Sequence, residues 1–173
     1  MKIIVVGSPG SGKSTLSKLI NKELNYPIMH LDKVYYTGGK NHISRGELVH
    51  KVEEFAHKNN NWIIDGNYIG TIERRIELSD TVLLMDIPAD ICVKNACKRE
   101  QEIKKGNIYR DDMVNGFDET ITDDFIEFIR NFKQEAYPII EKILNNYKDK
   151  NIFVIKDYKD IDMCRDWLKS RSY

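Results

Sequence analysis

The sequence predicts an α/β fold in which a parallel sheet is covered by helices on both faces. Three observations carry that expectation. Short apolar runs alternate with stretches of helical spacing along the whole chain. The runs are continuously apolar, Ile3-Ile4-Val5-Val6 and Val82-Leu83-Leu84-Met85 among them, as strands buried on both faces require. The first run also opens into a glycine-rich turn, Gly7-Ser8-Pro9-Gly10-Ser11-Gly12-Lys13-Ser14, which fits G-x-x-x-x-G-K-[ST] at every defined position.

The elements follow in order. Ile3 to Val6 is the first strand. After the turn, helical spacing places Leu16, Leu19, Ile20 and Leu24 on one face, and Asn25-Tyr26-Pro27 ends that helix. Ile28-Met29-His30-Leu31 is a second strand ending at Asp32. The stretch from Lys33 to Ile43, with Gly38-Gly39, reads as a loop. Ser44-Arg45-Gly46-Glu47 fits a capping box, and a helix runs from it to about His57. Trp62-Ile63-Ile64-Asp65 is a third strand closed by Gly66-Asn67, with a short helix over Thr71 to Leu78. Thr81 to Asp86 is a fourth strand, and Pro88 suits the first turn of a helix that runs to about Lys104. Gly106-Asn107 breaks it. A helical region from Asp118 to Tyr147 carries Phe125, Ile126, Phe128, Ile129 and Phe132, with a break expected at Pro138. Ile152 to Ile155 is a fifth strand, and a closing helix reaches Trp167 and Leu168. With no internal repeat or linker, the 173 residues read as one domain with mobile pieces at its ligand edge.

Composition narrows the function. Lys plus Arg is 27 and Asp plus Glu is 27, so the formal net charge is zero. A dedicated nucleic-acid binder carries a basic excess; neutrality argues against one without excluding a local basic groove. Cys92, Cys97 and Cys164 are an odd number without C-x-x-C spacing, which suits reduced thiols in a cytoplasmic protein. The apolar run before Gly7 is too short for a signal sequence, and no run approaches the length of a membrane span. Oligomeric state is left open.

The glycine-rich turn has the flanks that give it meaning, a strand before and a helix after. Glycines let backbone N–H groups converge on an anion, and the helix beginning near Lys13 adds its positive end. Gly7, Ser8, Pro9, Gly10, Ser11, Gly12, Lys13, Ser14 and Thr15 are therefore the expected nucleotide cradle. Lys13 reaches the β- and γ-phosphates, the Ser14 hydroxyl ligates Mg²⁺, and Thr15 lies beside the α-phosphate. A guanine-reading N-K-x-D is absent, since Asn21-Lys22-Glu23-Leu24 lacks the Asp. Strands ending Ile64-Asp65-Gly66 and Met85-Asp86-Ile87 lack the Glu with which motor ATPases activate water. Strand C-terminal ends are where open α/β sheets bind ligands. Asp32 and Asp65 at such ends could hold Mg²⁺ or orient an acceptor hydroxyl, whereas Asp86, just before Pro88, more simply caps its turn. Arg99 and Arg110 flank the Gly106-Asn107 break and suit a lid, about residues 99–112, that closes over ATP and adds cations around its γ-phosphate. The alternative for Arg99, Lys104 and Lys105 is a solvated helix face. Lys33-Val34-Tyr35-Tyr36 could stack a base or simply pack the rim.

GSPGSGKSTL at 7–16, HLDKVYY at 30–36, WIIDGNY at 62–68 followed by Arg75, DTVLLMDIP at 80–88 and RDDM at 110–113 resemble the adenylate-kinase-like P-loop kinases. Within that group they are most similar to the bacterial DNA topology modulation proteins. The resemblance implies a P-loop three-layer sandwich with strand order 2-3-1-4-5, ATP and Mg²⁺ at Gly7 to Thr15, and an acceptor segment over about 32–75. It implies an acceptor-facing or Mg²⁺-linked Asp32. Asp65-Gly66 resembles the start of the D-G-[FY]-P-R motif of nucleoside monophosphate kinases, but Asn67-Tyr68-Ile69 replaces the rest. The acceptor-gripping arginine is thus missing from its usual place. Either Arg75 substitutes for it, beside Asn67 and Tyr68, or the acceptor carries no phosphate. His42 to Glu47 is similar to a segment after strand two in adenylate kinases but lies about a dozen residues too late, so a capped helix explains it better. The expected function is a kinase passing the γ-phosphate of ATP to a small acceptor: a nucleoside, a nucleotide or another metabolite. The alternatives are a nucleotide-binding regulator of DNA topology and a simple ATPase.

Overall fold

The computed structural model describes residues 1–38, 41–118 and 120–171. In chain order its strands are β1 (Lys2–Gly7), β2 (Ile28–His30), β3 (Tyr36–Gly38), β4 (Asn41–His42), β5 (Trp62–Asp65), β6 (Thr81–Met85) and β7 (Asn151–Ile155). Its helices are α1 (Lys13–Leu24), α2 (Leu31–Tyr35), α3 (Arg45–Lys58), α4 (Ile69–Leu78), α5 (Ala89–Lys104), α6 (Asp123–Leu144) and α7 (Asp160–Ser170). Five strands form one parallel sheet in the order β2-β5-β1-β6-β7, which is 2-3-1-4-5 when only the strands of that sheet are counted.

The apolar runs divide by the two-residue period of a strand. Ile4 and Val6, with Ile64, Val82 and Leu84, face one layer, where α3, α4 and α6 contribute Val52, Ile76 and Ile140. Ile3 and Val5, with Ile63, Leu83 and Met85, face the other, where α1, α5 and α7 contribute Ile20, Ala96 and Leu168. Both faces of β1 are fully buried, which is why its run shows no polar alternation.

Three elements differ from the sequence expectation. The stretch after β2 is not a plain loop: Leu31–Tyr35 makes a short helix, and Tyr36 pairs with His42 in a two-stranded hairpin. Aromatic contact holds that hairpin, with Tyr35 stacked on His42 at a ring separation of 4.7 Å, and Ile43 N–H donates to the Tyr35 carbonyl at 2.9 Å. Gly39 of the Gly38-Gly39 pair lies outside the described residues. The long helix α6 starts at Asp123, where Thr122 caps it by accepting from Phe125 N–H, and it runs without a break past Pro138. Pro138 is exposed, so the carbonyl it leaves unpaired faces water, while buried Phe132, Ala136, Ile140 and Leu144 keep one apolar stripe continuous across it. The capping box forms in both halves: Ser44 Oγ accepts from Glu47 N–H at 3.2 Å, and Glu47 accepts from Ser44 N–H at 2.9 Å.

Parallel pairing sets the strand ends side by side. Asp65 is level with Val5 on one side and His30 on the other, and Gly7 is level with Met85. The glycine-rich turn, Asp32 and Asp65 therefore share one edge of the sheet. No helix among the described residues is long and apolar enough to cross a membrane.

Candidate active site

A cavity of about 1070 Å³ opens at that edge. Its floor is the turn between β1 and α1. Gly12 there takes φ +94° and caps α1, so the first N–H groups of the helix are left facing the cavity. Gly10 sits at φ +77°, and a Cβ there would lie 2.1 Å from the Cys92 carbonyl oxygen: the turn is pressed against the first turn of α5 and only glycine fits. Asn95 reinforces the contact by donating to the Gly10 carbonyl at 2.9 Å and to Tyr158 Oη at 2.8 Å.

Pro9, Gly10, Gly12, Lys13, Ser14 and Thr15 line the cavity, with Ser8 and Ser11 buried beneath them. Lys13 Nζ donates to the Ser8 carbonyl at 2.9 Å, so the ammonium is held over the turn. Burial is the largest influence on it and draws its pKa down; the charges of Asp65 and then Asp32 pull it back up, and Arg99 lowers it further. Lys13, Asp32, Asp65 and Arg99 all line the same cavity.

The carboxylates are held differently. Asp65, at the end of β5, is 3% exposed; its Oδ2 meets His30 Nδ1 at 2.8 Å and its Oδ1 is buried without a hydrogen-bond partner. Asp32, in the first turn of α2, accepts from Tyr68 Oη at 2.8 Å through Oδ1. Burial first, and then the Asp32 charge, push the Tyr68 phenol far above its ordinary value, so it stays a donor. Tyr68 has φ +24°, a strained conformation for a tyrosine, and its ring packs on Tyr35 at 4.8 Å.

Arg75 departs from the sequence expectation. It was placed among the acceptor-binding groups; the structure buries it completely and outside the cavity lining. Its guanidinium donates to the carbonyls of Gly66 at 2.8 Å, Asn67 at 2.6 Å and Tyr68 at 3.3 Å, and to Thr71 Oγ1 at 3.1 Å. Burial draws its pKa down to about 9, against the pull of Asp65 and Tyr68, so it remains charged at neutral pH. One turn of α4 separates Thr71 from Arg75, and that phase aims the side chain under the Gly66–Tyr68 turn instead of into the cavity. The strained Tyr68 backbone is held by this brace.

Arg99 and Arg110 both line the cavity. Arg99 lies on α5, which continues to Lys104, so the irregular part of the lid begins after the residues first assigned to it. Arg110 forks onto Asp112 at 3.0 and 2.7 Å. Burial opposes ionisation of Asp112, but the Arg110 hydrogen bonds and charge outweigh it and hold its pKa well below the usual carboxylate range. Lys18 pairs with Asp111 and reaches Asp112 at 3.5 Å, and Lys33 donates to the Asp111 carbonyl at 3.0 Å, so residues 110–112 are tied to α1 and α2. Phe117 adds a ring contact with Tyr36 at 4.9 Å.

A cation that takes oxygen ligands fits here. The Ser14 hydroxyl and Asp32 face the cavity, and the unpartnered Asp65 Oδ1 lies beside them. Among the described residues no group of three or more His, Cys, Asp or Glu forms a cage.

No protein-family model matches the chain. It is 29% identical to an adenylate kinase of Malacoplasma penetrans over 94% of this chain and 86% of that protein. It superposes on the deoxyadenosine kinase of M. mycoides with bound dATP at a TM-score of 0.55, with 19% identity over 98% of this chain and all of the other. It superposes on the shikimate kinase of Acinetobacter baumannii in complex with shikimate at 0.59, with 12% identity over 98% and 91%. The chain has the fold of the small P-loop kinases. In this P-loop frame, Lys13, Asp32, Asp65 and Arg99 are brought to one cavity, Asn67 and Tyr68 form its wall, and Arg75 supports that wall from behind.

The sequence reading missed His30, Asn95 and Tyr158. His30 carried a signal, standing two residues before Asp32 at a strand end. Asn95 and Tyr158 lie on elements far from the turn in sequence and gave none.

Proposed function

We propose that this protein is an ATP-dependent kinase that transfers a γ-phosphate to a small acceptor. The observation that carries this reading is the cavity in which the P-loop lysine faces two carboxylates from neighbouring strand ends. The kinases named above, alike in sequence or in fold, support it. ATP lies with its phosphates on Gly7 to Thr15. Ser14 and Asp32 would hold Mg²⁺, which would supply positive charge to the phosphates of ATP. Lys13 and Arg99 stabilise the charge that builds on the γ-phosphoryl oxygens. Asp32, oriented by Tyr68, takes the acceptor hydroxyl's hydrogen bond. As the acceptor oxygen bonds to phosphorus, the bond to the ADP oxygen breaks, ADP keeps the electron pair, and the hydroxyl proton passes to the Asp32 carboxylate that accepts its hydrogen bond. Residues 105–118, already tied to α1 and α2 through Asp111, cover the reaction and exclude water. The three free cysteines suit the reducing cytoplasm, where ATP is made.

The test is ATP turnover against an acceptor panel, with the phosphorylated product identified by mass. We expect turnover to rise with one acceptor class and to fall by about 100-fold or more in Lys13→Ala with the fold retained. Turnover unaffected by any acceptor points to a simple ATPase. The resemblance to the topology modulation proteins gives the other reading, a regulator that binds DNA. That reading needs a DNA gel shift persisting at physiological salt, which a neutral chain is not expected to show.

A further inference from the structure

We infer that the acceptor is a neutral, hydroxyl-bearing molecule with a flat ring, a nucleoside in place of a nucleoside monophosphate. The inference rests on the kinase reading and names the substrate class of the same site.

Charge decides the first half. The acceptor end of the cavity is walled by Asp32, Asp65, Asn67 and Tyr68. Asp65 Oδ1 and Asn67 Oδ1 are buried without a hydrogen-bond partner, and Asp32 uses one oxygen on Tyr68. The oxygen of Asp32 not used by Tyr68 is therefore the acceptor this wall offers to a hydroxyl donor, and its charge disfavours a second phosphate beside it. The cation nearest this wall in sequence, Arg75, points the other way and donates to the backbone of Gly66, Asn67 and Tyr68. Lys13, held over the P-loop by the Ser8 carbonyl, and Lys98 and Arg99 on α5 line the cavity from the P-loop and α5, away from the elements that carry Asp32, Asn67 and Tyr68. Lys18 and Arg110 are engaged by Asp111 and Asp112.

The aromatic groups decide the second half. Tyr36 from the hairpin, Tyr68 from the strained turn and Phe117 from the covering segment all border the same cavity. Tyr36 and Phe117 are in ring contact at 4.9 Å, and Tyr35 backs Tyr68 at 4.8 Å. Three elements thus bring aromatic rings to one rim, the kind of side chain on which proteins stack a base without reading its edge. The transfer balances as before: the nucleoside hydroxyl oxygen bonds to the γ-phosphorus, ADP leaves with the electron pair of the broken bond, and the hydroxyl proton goes to Asp32 and from there to solvent as the products leave.

The experiment uses the full chain with labelled ATP and three acceptor sets: nucleosides and deoxynucleosides, their 5′-monophosphates, and ring-free or alicyclic polyols. We expect nucleoside monophosphate as product, with kcat/KM for at least one nucleoside about 100-fold above that for its 5′-monophosphate. Tyr36→Ala should raise KM for that nucleoside at least tenfold while leaving KM for ATP within twofold. Preference for the 5′-monophosphates overturns the inference and leaves the kinase reading standing. Transfer to polyols alone overturns the flat-ring half. No transfer to any set, with ATP binding intact, sinks the kinase reading and this inference with it.

Discussion

Replacing Arg75 by methionine removes a cation that the fold has buried completely, and its cost can be worked out donor by donor. The Tyr68 carbonyl keeps two other donors, Thr71 N–H at 2.9 Å and Thr71 Oγ1 at 3.0 Å, so it loses little. The carbonyls of Gly66 and Asn67 lose the guanidinium. Each buried acceptor left unpaired costs about 1–3 kcal/mol, hence about 2–6 kcal/mol together. Part of that is offset because the variant no longer has to strip a guanidinium of water, which leaves a net loss of about 3 kcal/mol. With a urea slope of about 2 kcal/mol per molar, the unfolding midpoint should fall by about 1.5 M. Activity should fall as well, because the turn that carries Tyr68, and through it Asp32, is no longer braced. Arg75→Lys should lie between, since a single ammonium replaces the planar fork. The assay is urea unfolding followed by fluorescence, paired with acceptor and ATP KM values. If Arg75→Met unfolds at the wild-type midpoint while acceptor KM alone rises sharply, Arg75 grips the acceptor and the brace argument is wrong.

Further outcomes can be checked. Gly10→Ala drives a Cβ to within 2.1 Å of the Cys92 carbonyl oxygen at φ +77°, so α5 has to retreat from the turn; ADP affinity measured by calorimetry should drop at least about tenfold, or about 1.4 kcal/mol. Burial pushes the Cys92 thiol up and the Cys164 thiol to about 11, while Cys97 is partly exposed, so native iodoacetamide labelling near pH 8 should mark Cys97 first by mass spectrometry. Asp112 has a depressed folded pKa, so its ion pair stabilises the protein above the unfolded carboxylate value of about 4 and is lost as pH falls through the lower native value. The stability gap between wild type and Asp112→Asn should therefore be full above about pH 5 and shrink below pH 4 in acid titration.

Strands such as Ile3 to Val6 were legible because a strand buried on both faces has to be apolar at every position. The P-loop was legible because its backbone geometry admits glycine at Gly10 and Gly12 and little else. Asp32 and Asp65 could be placed at the ligand edge because the ends of parallel strands lie side by side. The helix break at Pro138 was misjudged because a lost hydrogen bond matters only where the freed carbonyl has no water, and exposure is a tertiary fact. The short helix and hairpin after β2 depend on Tyr35 meeting His42, a contact between residues seven apart that no local propensity encodes.

Arg75 shows the same limit at the site itself. From sequence, an arginine eight residues after a Gly-Asn turn could point into the cavity or beneath it, and its charge argues for the cavity. The direction is set instead by the phase of α4, which begins at Ile69 and puts Arg75 one turn after Thr71, on the buried side with Ile72 and Ile76. An arginine on that face satisfies its donors on the nearest backbone, and the nearest backbone is the turn it follows. The cation that would have marked the acceptor as a phosphate is thereby used to hold Tyr68 in a strained conformation, and Tyr68 in turn orients Asp32. No arginine fork is thereby left on this wall to grip a second phosphate, and that absence traces to where one helix begins.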